Sequence, residues 1–172
     1  MAHTSRVSIA YGDAGVEQTL TVMAQLIDEG VDSPHVVLFA RMMAVRAGVR
    51  NQYAQAQAIR AWMARVWRFV DDPPDRDLVT SADWLLAQLQ VSPIIAGDCD
   101  EAAILGGALG KSVGMFVRLV VLGFPSSEPA EPDRLSHVYA VLLTDDGREV
   151  SLDVTRPAGP VPAPTRLLTM DV

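Results

Sequence analysis

Apolar residues in the first half of the chain recur at helical spacing. Val16, Leu20, Met23 and Ile27 fall on one face, which predicts a helix ended by Gly30. Ser33-Pro34 is a second start, with Ser as N-cap and Pro in the first turn. That helix is expected to run to about Arg46, with Gly48 closing it. A third helix is expected over Gln52 to Val70, with Ile59, Met63, Val66 and Val70 on one face. Asp71 to Asp77 holds two prolines and four acids and reads as a loop. Ser81 caps a short helix to about Gln90, which Ser92-Pro93 breaks.

The pattern changes in the second half. Asp98 to Lys111 reads as helix, and Val113 to Phe124, rich in Val, Leu and Phe, as strand. Ser126 to Arg134 is polar and proline-containing, so a loop is expected. Val138 to Leu143 and Glu149 to Thr155 read as two strands around Asp145-Asp146-Gly147, a hairpin signal. Pro157 to Pro164 holds four prolines and is expected to be extended and irregular. There is no internal repeat. Helices followed by strands predict an α+β domain. The expected organisation is a loose N-terminus over 1–15, one domain over 16–156, and a Pro-rich tail over 157–172.

Size and composition narrow the function classes. The 172 residues suit a single domain with a core that needs no disulfide or metal. The composition is 49% hydrophobic and 20% charged, ordinary for a globular chain. The formal net charge is -7, and no clusters of Lys and Arg are expected, which argues against nucleic acid and anionic membrane surfaces as partners. No 18-residue stretch lacks charge, so no membrane-spanning helix is expected. Met1 to Arg6 is polar and lacks the apolar segment of a signal peptide, which points to a cytoplasmic location. One cysteine allows no intrachain disulfide, and three scattered histidines do not make a zinc site. No cofactor and no metal are expected.

The chemistry concentrates in three places. In Gly97-Asp98-Cys99-Asp100-Glu101, Asp98 can cap the following helix while Glu101 closes an acidic capping box. Cys99 then falls in the first helical turn, where free N–H groups and the helix dipole favour a thiolate and can hold an oxyanion. Asp100 and Glu101 oppose that thiolate. Taken alone, a single cysteine is more often a small buried filler. His137 is expected to begin a strand. His3 lies near the terminus, and His35 reads as a surface residue. Asp153 lies inside a predicted strand, where Asp is disfavoured.

The hairpin links the last two. A three-residue loop at Asp145-Asp146-Gly147, with Gly in the left-handed conformation, sets Thr144 opposite Arg148 and Tyr139 opposite Asp153. His137 and Asp153 then become diagonal neighbours on one face, roughly 7–8 Å apart at the backbone and within side-chain reach. A two-residue loop would put them on opposite faces. A helix-start thiol, a strand histidine and a carboxylate on the next strand form a nucleophile, base and orienter set.

The stretches WRFVDDPPDRDLV (67–79), GDCDE (97–101), HVYAV (137–141) and SLDVT (151–155) occur in an order that resembles the transglutaminase-like superfamily of the papain-like fold. The likeness covers about residues 55–156, and the early helices are similar to small transglutaminase-like proteins of tailed bacteriophages. It implies Cys99 as nucleophile, His137 as base and Asp153 as third member, on a nucleophile-bearing helix packed against an antiparallel sheet. It implies cysteine-dependent acyl transfer at an amide on a protein or peptide substrate, by hydrolysis or crosslinking. Phage structural proteins become further partners, with the host cytoplasm or virion as location. The alternative it leaves is a non-catalytic virion or assembly component. Phe69 stands where many relatives have Tyr. Trp67, Gln88 and Gln90 are the side-chain candidates for an oxyanion donor. Core packing competes for Trp67, and a solvated helix face competes for the two glutamines.

Overall fold

A computed structural model describes residues 12–72, 78–125, 133–155 and 162–172. Three helices lead: α1 (Asp13–Val31), α2 (Pro34–Ala47) and α3 (Gln52–Val66). Strand β1 (Trp67–Phe69), helix α4 (Ala82–Ala87) with a 3-10 turn (Gln88–Gln90), and strand β2 (Ile95–Gly97) follow. Helix α5 (Cys99–Lys111) precedes β3 (Phe116–Pro125), β4 (Asp133–Leu143), β5 (Glu149–Ser151) and β6 (Arg166–Asp171). The last four strands form an antiparallel sheet in the order β5-β4-β3-β6, while β1 and β2 pair in parallel. The class is therefore α+β.

Helix α5 is the central element, and every residue from Glu101 to Gly110 is buried. Its small residues let neighbours approach closely. A Cβ on Gly110 would lie 2.2 Å from a Leu142 methyl of β4. On the opposite side, α1 comes so near that a Cβ on Gly30 would lie 2.7 Å from that of Ala108. Gly30 was expected to end the first helix. It instead lies inside α1, where its lack of a side chain serves packing.

Other boundaries also move. The third helix ends at Val66 rather than Val70, because Trp67–Phe69 pairs with Ile95–Gly97, a strand the periodicity did not reveal. Trp67 is thus a strand residue, and the helical spacing expected of it does not hold. Ser33 precedes α2 as expected, yet its hydroxyl donates to Asp83 rather than accepting from the helix N-terminus. Ser81 does accept from the Trp84 N–H. Most of the Asp71 to Asp77 loop and of the Ser126 to Arg134 loop lies outside the described residues, as do 156–161. Beyond the prolines, Arg166–Asp171 bonds to β3, so the sheet extends into the segment expected to be an irregular tail.

The β4–β5 hairpin follows the predicted register. Val141, Leu142 and Leu143 face Ser151, Val150 and Glu149, and the Thr144 N–H donates to the Arg148 carbonyl at 2.9 Å. Gly147 takes φ +80, the left-handed conformation the three-residue turn requires. Strand β5 itself stops at Ser151, so Asp153 lies just past its end. The Leu152 N–H still donates to the Ala140 carbonyl at 2.8 Å, which carries the register on to Asp153.

Candidate active site

The Cys99 segment is set by the small parallel ribbon and the helix start. The Val70 N–H donates to the Gly97 carbonyl at 3.0 Å, and Gln88 grips β2 from the other side. Its amide donates to the Ala96 carbonyl at 3.3 Å and accepts from the Ala96 N–H at 3.0 Å. Next, Asp98 caps α5: its carboxylate accepts from the Asp100 N–H at 2.8 Å, while its own N–H donates to Glu101 Oε2 at 3.0 Å. This reciprocal capping box fixes Cys99 at the first helical position, as expected. The thiol is partly buried. Its proton points to Asp100 Oδ1 at 3.5 Å, and the Val138 backbone N–H also reaches the sulfur.

His137 and Asp153, the expected base and orienter, are in contact. His137 Nε2 lies 3.1 Å from Asp153 Oδ1, and both side chains are largely buried. This pairing leaves Nδ1 as the ring nitrogen that can serve a thiol. His137 was expected to begin a strand but lies inside β4, directly after an irregularity. Leu122 faces His137 and Gly123 faces Leu135, so Ser136 is an extra residue in β4. Such a bulge bends the strand and re-aims the adjacent side chain. The Val138 N–H that favours the thiolate belongs to the residue after His137, so the thiol faces this part of β4. Among the described residues, no hydrogen bond joins the thiol to the imidazole directly.

The electrostatics of the thiol run against the expectation of an easily formed thiolate. Burial pushes the Cys99 thiol far above the usual range, and the Asp100 charge adds to this. The Val138 N–H pulls it back, while the Asp98 charge and the hydrogen bond to Asp100 push it up again. The resting thiol is therefore neutral, and the helix end does not overcome burial and the two nearby acids, Asp100 and Asp98. Glu101 is perturbed too. Burial raises its carboxyl well above the ordinary range, and the Asp98 charge adds to this, while hydrogen bonds from the Asp98 N–H and Thr80 oppose it. Asp72, Asp98 and Glu101 bring carboxylate oxygens within 4.8 Å of one another. These are residues that could hold a cation, as are Asp98, Cys99 and Asp100.

The three oxyanion candidates separate clearly. Gln88 spends its amide on the Ala96 backbone, and Gln90 is exposed on the 3-10 turn. Trp67 differs: its indole Nε1 is buried and has no hydrogen-bond partner among the described residues. Its ring lies over Gly97, where a Cβ would come within 3.2 Å of Trp67 Cζ2. A buried indole N–H ordinarily finds an acceptor. Phe69 is half-exposed on the same strand.

A groove runs beside the histidine–aspartate pair, about 330 Å³ in volume, lined by Gln57, Arg60, Ala61, Ala64, Asp153 and Val154. The Gln57, Arg60, Ala61 and Ala64 spacing marks one face of α3, a lining the periodicity contains but does not distinguish from any solvated face. Away from the site, His35 is exposed as expected and contacts Asp83 at 2.9 Å. His3 lies outside the described residues. No helix among the described residues is long and apolar enough to cross a membrane. Comparison with family models, with curated proteins and with solved structures found no match to this chain.

Proposed function

We propose that this chain is a cysteine-dependent acyl transferase or hydrolase acting at amide bonds, built on a papain/transglutaminase-like fold. The observation that carries this reading is the 3.1 Å contact between His137 and Asp153, with a helix-start thiol facing this part of β4. Asp153 holds one imidazole nitrogen and directs the other toward the chemistry. In this reading the Cys99 proton leaves Asp100 and passes to His137 Nδ1. The sulfur then attacks the amide carbonyl, and the protonated imidazole returns that proton to the leaving amine. A thioester remains. Water, deprotonated by the same imidazole, releases the acid; a lysine amine in its place gives a crosslink.

The oxyanion formed in each step needs donors already in position. The Cys99 backbone N–H, at the first helical position, has no carbonyl one turn back to occupy it. The Trp67 indole N–H, buried beside Gly97 and unspent among the described residues, is the candidate for a second donor. Hydrolysis of a peptide or isopeptide bond is the favoured outcome, because water is always present. Incubation with a pool of peptides, isopeptides and a free primary amine, followed by mass spectrometry, tests the reading. Products that vanish in Cys99→Ala support it, and identical product sets from both proteins would contradict it.

The second reading is a non-catalytic assembly component that retains the fold. The neutral, acid-bound thiol favours it, since burial and the acids outweigh the Val138 N–H that favours the thiolate. Cys99 alkylation that ignores His137 would select this second reading.

A further inference from the structure

The positive charge of this acidic chain is concentrated in one segment. Residues 33–70 carry Arg41, Arg46, Arg50, Arg60, Arg65 and Arg68 and no Asp or Glu, leaving eight basic and 21 acidic residues elsewhere. The expectation that basic residues do not cluster fails here. All six arginines are exposed, and among the described residues none has an ion pair or hydrogen bond. By contrast, Lys111, Arg118, Arg148 and Arg166 each pair with an acid.

Helix α2 adds an apolar stripe to that charge. Val36 and Ala40 face the core, yet Leu38, Met42 and Val45 are 62%, 43% and 67% exposed, and Val49 beyond the Gly48 cap is 73% exposed. Within the helix, the four-three spacing of Leu38, Met42 and Val45 is that of a coiled-coil seam. Arg41 directly precedes Met42, and Arg46 directly follows Val45. These are the two positions that flank a seam and select its partner. A shallow groove of about 350 Å³ continues the surface past Val45 and Val49 to Gln55, Ser112 and Val113.

We propose that α2 is a docking surface for an acidic amphipathic helix of a partner protein, with apolar residues on its seam and Glu or Asp beside them. Charge complementarity selects this occupant. A second copy of α2 would set Arg against Arg in either orientation, because the seam's flanks hold no acid. An anionic bilayer or a nucleic acid carries dense charge over a wide area and would meet the remaining acidic surface of the chain. A single helix meets only the arginines within about 8 Å, the screening length at physiological salt. This proposal is independent of the chemistry at Cys99.

Titration calorimetry of the full chain tests it with a synthetic peptide of about three heptads, Leu on its seam and Glu on its flanks. Binding that weakens with salt is expected. Arg41→Glu with Arg46→Glu should lose at least about tenfold in affinity and gain affinity for the same peptide carrying Lys on its flanks. Met42→Asp should also weaken binding, and circular dichroism checks that both variants stay folded. No binding at about 1 mM peptide, or equal binding by the charge-reversed variant, would overturn the proposal. So would self-association that Met42→Asp abolishes. If only phosphatidylcholine–phosphatidylglycerol vesicles or duplex DNA bind, and the charge reversal removes that binding, the surface serves a bilayer or nucleic acid and the proposal fails.

Discussion

The two halves of the candidate site contrast in what holds them. The β4–β5 hairpin brings His137 and Asp153 together through backbone register, and the pair closes at 3.1 Å with both side chains largely buried. At the start of α5, backbone capping is equally well formed, but the charges around Cys99 oppose its chemistry. Asp100 accepts a hydrogen bond from the thiol, and burial holds the sulfur neutral. Backbone hydrogen bonding fixes position in both halves. The hairpin half also has its side chains paired, whereas the thiol is restrained by its acid, so any activity must begin with the histidine drawing the thiol away from Asp100.

The largest expected effect comes from breaking the hairpin half. Asp153→Asn keeps the shape but removes the charge that holds His137, and loss of the correct tautomer costs up to about 10⁴ in rate in a serine triad. Cysteine enzymes can use an amide at this place, so a loss anywhere from tenfold upward in Cys99-dependent turnover is expected. An unchanged rate would remove Asp153 from the set and leave Cys99 in it.

Moving one half against the other should cost less. Gly30→Ala puts a Cβ 2.7 Å from that of Ala108, two atoms fixed by their backbones, so α1 and α5 must separate. Overpacking of this kind costs about 1–3 kcal/mol, partly offset by the roughly 1 kcal/mol better helix propensity of Ala. The urea midpoint should fall, and Cys99 should decouple from a hairpin pair that itself persists. A midpoint at or above that of the parent would mean that α5 is not held by this contact.

The hairpin half was legible in the sequence because its information is local. A three-residue turn with Gly in the left-handed conformation fixes a register, and the register fixes which side chains are diagonal neighbours. The capping box at Asp98 and Glu101 was legible for the same reason. What the sequence did not reveal depends on distant partners. Trp67–Phe69 carries a helical pattern until β2 pairs with it, and the extra residue at Ser136 shows only against β3. Gln88 resembles a solvated residue until Ala96 lies beside it. The thiol's electrostatics depend on burial, which no local spacing encodes.

Relieving the helix half should give a smaller effect in the opposite direction. Asp100→Asn removes the charge that, after burial, contributes most to holding the thiol proton. Alkylation of Cys99 near neutral pH should speed up by about tenfold, the equivalent of one unit in the thiol's pKa. A slower rate would show that Asp100 positions the sulfur rather than restraining it.

The smallest effect concerns stability. Glu101 binds its proton more tightly in the folded chain than in the unfolded one, chiefly through burial. Its contribution is complete below the unfolded glutamate value of about 4.3 and is lost as pH rises through the raised folded value. Glu101→Gln keeps an oxygen for the Asp98 N–H and removes the titration. Urea midpoints across that window should therefore fall less steeply with pH in the variant. An identical slope would mean that the buried carboxyl is not the source.

The central claim is that Cys99 and His137 act as one unit, and the pH profile of Cys99 alkylation by iodoacetamide tests it without any knowledge of the substrate. The native chain should show a phase at or below neutral pH in which the imidazole draws off the thiol proton. That phase should vanish in His137→Ala, leaving only the slow, high-pH reaction of a buried thiol held by Asp100. Superimposable profiles for the two proteins would contradict the account, because the sulfur would then react without reference to the histidine beside it.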